Sequence, residues 1–237
     1  MRELLLYVTQ VAPYADGPAG AHGVLPQSAI AMAQLADLCD LEFVEVSDVR
    51  HLDPDALDYA RGLALFTIGE TPWSGEQRTT IVSRLRSGVM GVVAIHAATD
   101  SCVSWPAYGD LVGARFNGHP WTQTVDIEVV DRDHPATAHL GPEWRWHDEV
   151  YQFRDLRSDA RVLLRAPDAQ LDQSVRGVQR PDFAFPLSWC FDEGAGRVFS
   201  TSLGHFPAAW ESVDFLRHVL GGLRWAIEHQ PRASALL

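Results

Sequence analysis

The chain has 237 residues, 46% hydrophobic and 21% charged, the proportions of a folded globule with material for a sizeable core. Its formal net charge is -12, and its 19 basic residues, all arginines, form no basic cluster, which argues against a nucleic-acid partner. No apolar run approaches the roughly 18–20 residues of a membrane span, and the N-terminal MRELLLYVTQ is too short in apolar length for a secretion signal. Three scattered cysteines, Cys39, Cys102 and Cys190, without C-x-x-C spacing, suit a reducing, cytoplasmic setting.

In chain order, LLLYVTQ (4–10) reads as a buried strand, followed by a Gly/Pro/Ala-rich loop and a helix from about Gln27 to Cys39 with Ile30, Ala33, Leu35 and Leu38 as its apolar positions. LEFVEVS (41–47) and LALFTIG (63–69) are the next strands. SGEQRTTIVSRLRSG predicts a helix with Ser74 as N-cap, Gln77 in the capping-box position and Gly88 beyond its end. VMGVVAIH (89–96) is apolar throughout, as a strand buried on both faces must be. Strand and helix alternating in this way predict a mostly parallel sheet with helices on both sides. After Asp100 the rhythm changes: TQTVDIEVVD (122–131) alternates like a half-exposed antiparallel strand, and WRWHDEVYQF (144–153) and ARVLLRA (160–166) are further strands. RGVQRPDF (176–183) reads as a loop, RVFSTSLG (197–204) as a buried strand, and DFLRHVLGGLRWAIEH (214–229) as a closing amphipathic helix whose apolar face is core more than oligomer interface. The expectation is one α/β domain over 1–230 with an added antiparallel β region and a short tail, 231–237.

Ligands of parallel sheets bind beyond the carboxyl ends of the strands. There the chain places His96, after VVAI, and His205, after VFSTSLG, with His22 in the loop after the first strand. Thr9, Gln10, Gly69 and Glu70 share that edge. Asp100 closes the turn that His96 opens. FNGHPWTQ sets His119 beside Trp121, whose indole would suit the apolar face of a sugar ring. In WHDEVYQF, strand alternation puts His147, Glu149 and Tyr151 on one side and Trp146, Asp148 and Val150 on the other. Imidazole and carboxyl groups gathered this way are the equipment of general acid–base catalysis. The same groups could ligate a divalent transition metal, although no HExxH spacing marks one. No GxGxxG or Walker loop indicates a nucleotide cofactor, and no GxSxG elbow or strand-end cysteine offers a nucleophile. His51, His134, His139, His218 and His229 read as surface or packing residues.

IHAATDS, NGHPWT, DEVYQF and LGHFPAAW, in that order, resemble the ThuA-like (trehalose-utilisation) family from the first strand to about Trp225. The resemblance implies a flavodoxin-like three-layer sandwich related to the class I glutamine amidotransferases. It also implies that His96 stands where those enzymes carry their catalytic cysteine, and that His205-Phe206-Pro207-Ala208 stands near their His-Pro-Glu. The thiol and the glutamate are both unmatched, which speaks against glutaminase activity.

The family's association with sugar catabolism implies a small sugar, plain or oxidised to a 3-keto-glycoside, as substrate. His96 or His205 would act as base, Glu149 or His147 as acid, and His22, Asp100, His119, Trp121 and Tyr151 would hold the ring. The alternative is a non-catalytic sugar-binding or regulatory protein that keeps the pocket without the nucleophile. A homo-oligomer is compatible with either reading.

Overall fold

Runs such as LLLYV and GVVAI leave no polar face for water, so a sheet built from them has to be covered on both sides. The computed structural model describes residues 2–14, 17–18, 22–179 and 185–228, and meets that demand with three layers. In the first half, β1 (Leu4–Val8), α1 (Leu25–Asp37), β2 (Glu42–Val46), α2 (Pro54–Tyr59), β3 (Ala60–Leu65), α3 (Gly75–Arg86), β4 (Gly91–Ile95) and α4 (Pro106–Val112) follow in turn. Then come β5 (Arg115–Phe116), β6 (Trp121–Val129), β7 (Glu143–Val150), β8 (Phe153–Arg154), β9 (Arg161–Arg165), β10 (Pro186–Glu193), β11 (Gly196–Thr201) and α5 (Val213–Glu228).

Nine strands form one sheet in the order β2-β1-β3-β4-β11-β10-β9-β6-β7, while β5 and β8 pair separately. The strands from β2 to β11 are parallel, and β10, β9, β6 and β7 continue the sheet by antiparallel pairing. The antiparallel region is therefore an extension of the main sheet. Alternate residues feed two cores. Leu5, Tyr7, Val93 and Ile95 pack with Met32 and Leu35 of α1 and with Phe215, Val219 and Leu223 of α5. Leu6, Val8, Val92 and Ala94 pack with Leu57 of α2, Leu85 of α3 and Leu111 of α4. Helix α5 lies so close to β11 that a Cβ on Gly222 would come within 2.3 Å of the Phe199 ring.

The capping box at Ser74 and Gln77 forms as the sequence predicts, and Gly88 takes the left-handed turn, φ +78°, just past the helix. The buried face of α1 is a correction. It consists of Ser28, Ala29, Ala31, Met32, Leu35 and Ala36, whereas Ile30 and Leu38 are exposed. Small residues let the helix approach the sheet closely, so residue size decided the face where hydrophobicity pointed elsewhere. The predicted strand 144–153 breaks at Tyr151–Gln152 into β7 and β8, and the strand 197–204 ends at Thr201. Strand β10 and the short helices α2 and α4 carry no periodicity long enough to read from sequence. Residues 176–179 are irregular, as expected; residues 180–183, His229 and the tail 231–237 lie outside the described residues. Among the described residues no helix is long and apolar enough to cross a membrane.

Candidate active site

Strands β4 and β11 are parallel neighbours with Ile95 opposite Thr201, so the residues after each strand emerge side by side. His96 follows Ile95 with φ +50° and opens a 3-10 turn through Asp100. A non-glycine residue in this left-handed region costs about 1–2 kcal/mol, strain that a packed surrounding must hold in place. Its ring is fully buried, and Nδ1 lies 2.8 Å from the Ser202 carbonyl. A carbonyl only accepts, so Nδ1 carries the proton and Nε2 presents its lone pair. Burial holds His96 well below the usual histidine range, which keeps the ring neutral.

Beyond Thr201 the chain turns at Gly204, φ +114°, where a side chain would be strained and its Cβ would meet the Phe215 ring at 3.0 Å. His205 follows, and its Nδ1 lies 3.1 Å from His96 Nε2. Burial, reinforced by the neighbouring imidazoles of His22 and His119, lowers the His205 pKa to about 4.

The third wall comes from the far edge of the sheet. β7 stands five places from β4, about 24 Å in a flat sheet, yet the Tyr151 hydroxyl lies 3.0 Å from His96 Nε2. The antiparallel half must therefore coil back over the carboxyl edge. Glu149 Oε2 sits 3.3 Å from His205 Nδ1 and 3.6 Å from His96 Nε2, while Oε1 lies 3.5 Å from His119 Nδ1. Burial raises the Glu149 pKa, with His119 opposing. His119 is half exposed at the rim and stacks on Tyr151 at 5.7 Å. The His22 ring centroid is 5.1 Å from those of both His96 and His205, and Phe66 packs edge-on beneath His22 and His96.

Strand alternation separates Glu149 and Tyr151 from Asp148 as the sequence suggests, and Asp148 has its own task. Its carboxylate accepts the N–H of Gly204 at 2.8 Å, of His205 at 3.3 Å, of Glu149 at 3.0 Å and of the Trp146 indole at 3.1 Å. Burial pushes it up to about 6 against these four bonds. It fixes the His205 turn to the strand that bears Glu149.

Six of the nine candidate residues, His22, His96, His119, Glu149, Tyr151 and His205, thus meet in one cluster. Asp100 stands nearby, accepting the Tyr14 hydroxyl at 2.5 Å, and its charge is felt at Tyr151. His147 points elsewhere: it is exposed, with Nδ1 3.2 Å from Thr124 Oγ1 and its ring against Phe206. Trp121 is a core residue, 3% exposed, with its indole N–H donating to Asp172 and its ring edge-on to Phe185. It has no free face for a sugar. Thr9 and Gln10 bond to Glu45 and to Val49 and Asp48, and Glu70 holds Ser104, so these strand-end groups are occupied locally. The residues that sequence reasoning passed over are Asp148, Phe66, Tyr14 and Ser202. Ser202 acts through its carbonyl, which no side-chain pattern reveals.

Cys102 is the cysteine nearest this turn. Its thiol is buried against the Thr71 carbonyl and pushed up to about 12, so it is no thiolate nucleophile.

The family model described as ThuA, trehalose utilisation, matches residues 17–226. The chain belongs to the ThuA family. No curated protein matches it. Solved structures of proteins described as ThuA-like share its fold. One from Bacteroides uniformis has a TM-score of 0.75 at 19% identity, covering 96% of this chain and 92% of that one. One from Parabacteroides merdae has a TM-score of 0.72 at 19% identity, covering 98% and 92%. A GMP synthase component from Thermoplasma acidophilum aligns at a TM-score of 0.50 and 13% identity, over 96% of this chain and 98% of that one. The ThuA fold seen here is thus the amidotransferase-like three-layer sandwich, with an imidazole at the strained turn after β4.

Proposed function

We propose that this ThuA protein is an enzyme of carbohydrate breakdown that acts on a 3-keto-glycoside by acid–base chemistry at His205 and Glu149. The observation that carries the reading is the 3.3 Å contact between His205 Nδ1 and Glu149 Oε2, beside the neutral His96. A ketone at C3 makes the C2 hydrogen acidic. His205, neutral at working pH and reachable from solvent, takes that proton. Glu149, whose raised pKa lets it hold a proton, gives it to the departing oxygen at C1. C2 and C1 are bonded neighbours, so one pair of adjacent groups serves both transfers. His96 is fully buried and acts on substrate through His205 and Tyr151. The family's description, trehalose utilisation, supports a sugar substrate.

The test is to incubate the protein separately with trehalose and with 3-keto-trehalose in deuterated water. Release of glucose from the oxidised sugar alone is expected, with its other half left as the C1=C2 unsaturated 3-ketone that has lost its C2 hydrogen, and with deuterium exchanging into C2 of the substrate that remains. Binding of both sugars with equal affinity and no product would replace the enzyme with a sugar-binding protein.

A further inference from the structure

His22, His96 and His205 come from three separate turns at the sheet edge, and one ring nitrogen of each lies within 4.8 Å of the others. Their ring centroids are mutually 5.1 Å apart, with interplanar angles of 58°, 61° and 76°. Rings inclined like this do not stack on one another, and each brings a nitrogen to the same small region. Metal-binding histidines characteristically donate their second ring nitrogen to a carbonyl or carboxylate, which fixes the tautomer and aims the remaining lone pair. His96 makes that bond to the Ser202 carbonyl, and its Nε2 lone pair faces His205. Burial keeps His96 and His205 neutral, the form that ligates. Glu149 supplies a carboxylate beside both nitrogens, at 3.6 and 3.3 Å.

We infer that His22, His96 and His205 form a binding site for a divalent first-row transition ion of the zinc class, with a fourth position open toward Glu149. Imidazole donors select this class over magnesium or calcium, which require oxygen ligands. Three protein ligands with one open position are the pattern of a catalytic site, where a structural one would be closed by a fourth side chain. At Zn–N distances of about 2.0–2.1 Å, tetrahedral donors stand about 3.4 Å apart, so small side-chain rotations close the cluster on an ion.

What the ion would do rests on the acid–base reading above. It would supply the positive charge that a ketone oxygen needs as C2 loses its proton, which neutral imidazoles do not. With His96 and His205 holding the ion, Glu149 in place of His205 would take the C2 proton and pass the same proton to the departing oxygen at C1.

The full chain is stripped with a chelator and titrated with Co2+ and then Zn2+, followed by visible absorption, calorimetry and elemental analysis after dialysis. One ion per chain is expected, with the d–d band of a four-coordinate cobalt site that Zn2+ abolishes. His22→Ala and His205→Ala should each weaken binding by at least about 100-fold, whereas His147→Ala should leave it unchanged. Circular dichroism checks that each variant is folded, and His22→Gln and His205→Gln replace any alanine variant that is not. Absence of stoichiometric binding by the wild type, or affinity unaltered in both ligand variants, overturns the site. Turnover of the keto-sugar by metal-free protein that binds no ion would remove the metal and leave the acid–base reading standing. Stoichiometric binding with no turnover would do the reverse.

Discussion

The carboxylate of Asp148 accepts the N–H of Gly204 at 2.8 Å, tying the turn that carries His205 to the strand that carries Glu149. The two groups of the proposed acid–base pair thereby share one rigid support, since Glu149 follows Asp148 and His205 follows Gly204 in the chain. Replacing Asp148 by Asn keeps the volume but sets an NH2 against backbone donors. The expected loss is about 1–3 kcal/mol of stability, with turnover falling further than loss of folded protein explains. Thermal melts alongside assays at a temperature where the variant is fully folded measure both.

His205 and His96 are predicted to behave differently on substitution by Asn. His205 is about a quarter exposed and should lose about 10²–10⁴ of turnover with little change in melting temperature. His96 is buried on the Ser202 carbonyl, so its variant should lose turnover and also about 1–3 kcal/mol of stability. Full turnover by the His205 variant would remove it from the chemistry.

Trp121 should matter to the fold and not to the sugar. Trp121→Phe removes the indole N–H that reaches Asp172 and part of the packing against Phe185. A loss of about 1–3 kcal/mol of stability is expected, with KM unchanged. A raised KM with an unaltered melt would return the indole to the substrate.

His218 gives stability a pH dependence of known sign. It is fully buried in α5, hydrogen-bonded to the Ala136 carbonyl and the Thr201 hydroxyl, and burial lowers its pKa to about 3. Above about pH 6.5 neither the folded nor the unfolded chain protonates this ring. Below that the unfolded chain takes up a proton that the folded one refuses, so stability falls continuously until the pH reaches about 3. Relative to wild type, His218→Gln should lose about 1.4 kcal/mol per pH unit of this slope. Urea titrations at several pH values between 4 and 8 provide the comparison, and parallel slopes would contradict it.

The chain by itself determined the parallel half of the sheet, because strands such as GVVAI have no polar side and can only sit between two layers. It also determined helix α3, whose capping box is a local hydrogen-bond pattern written in four residues, and the separation of Glu149 and Tyr151 from Asp148, which follows from strand alternation. The reach of β7 back to His96 was decided only in three dimensions, since sheet coiling is a property of the whole ladder. Tertiary packing likewise put the Trp121 indole in the core and His147 in solvent, and gave Asp148 four donors from a turn more than fifty residues away and from its own strand. Sequence spacing carries the short-range rules of backbone and pattern. Burial, which lowers the pKa of His96 and His205 and raises that of Glu149 and Tyr151, depends on chain segments far apart in sequence.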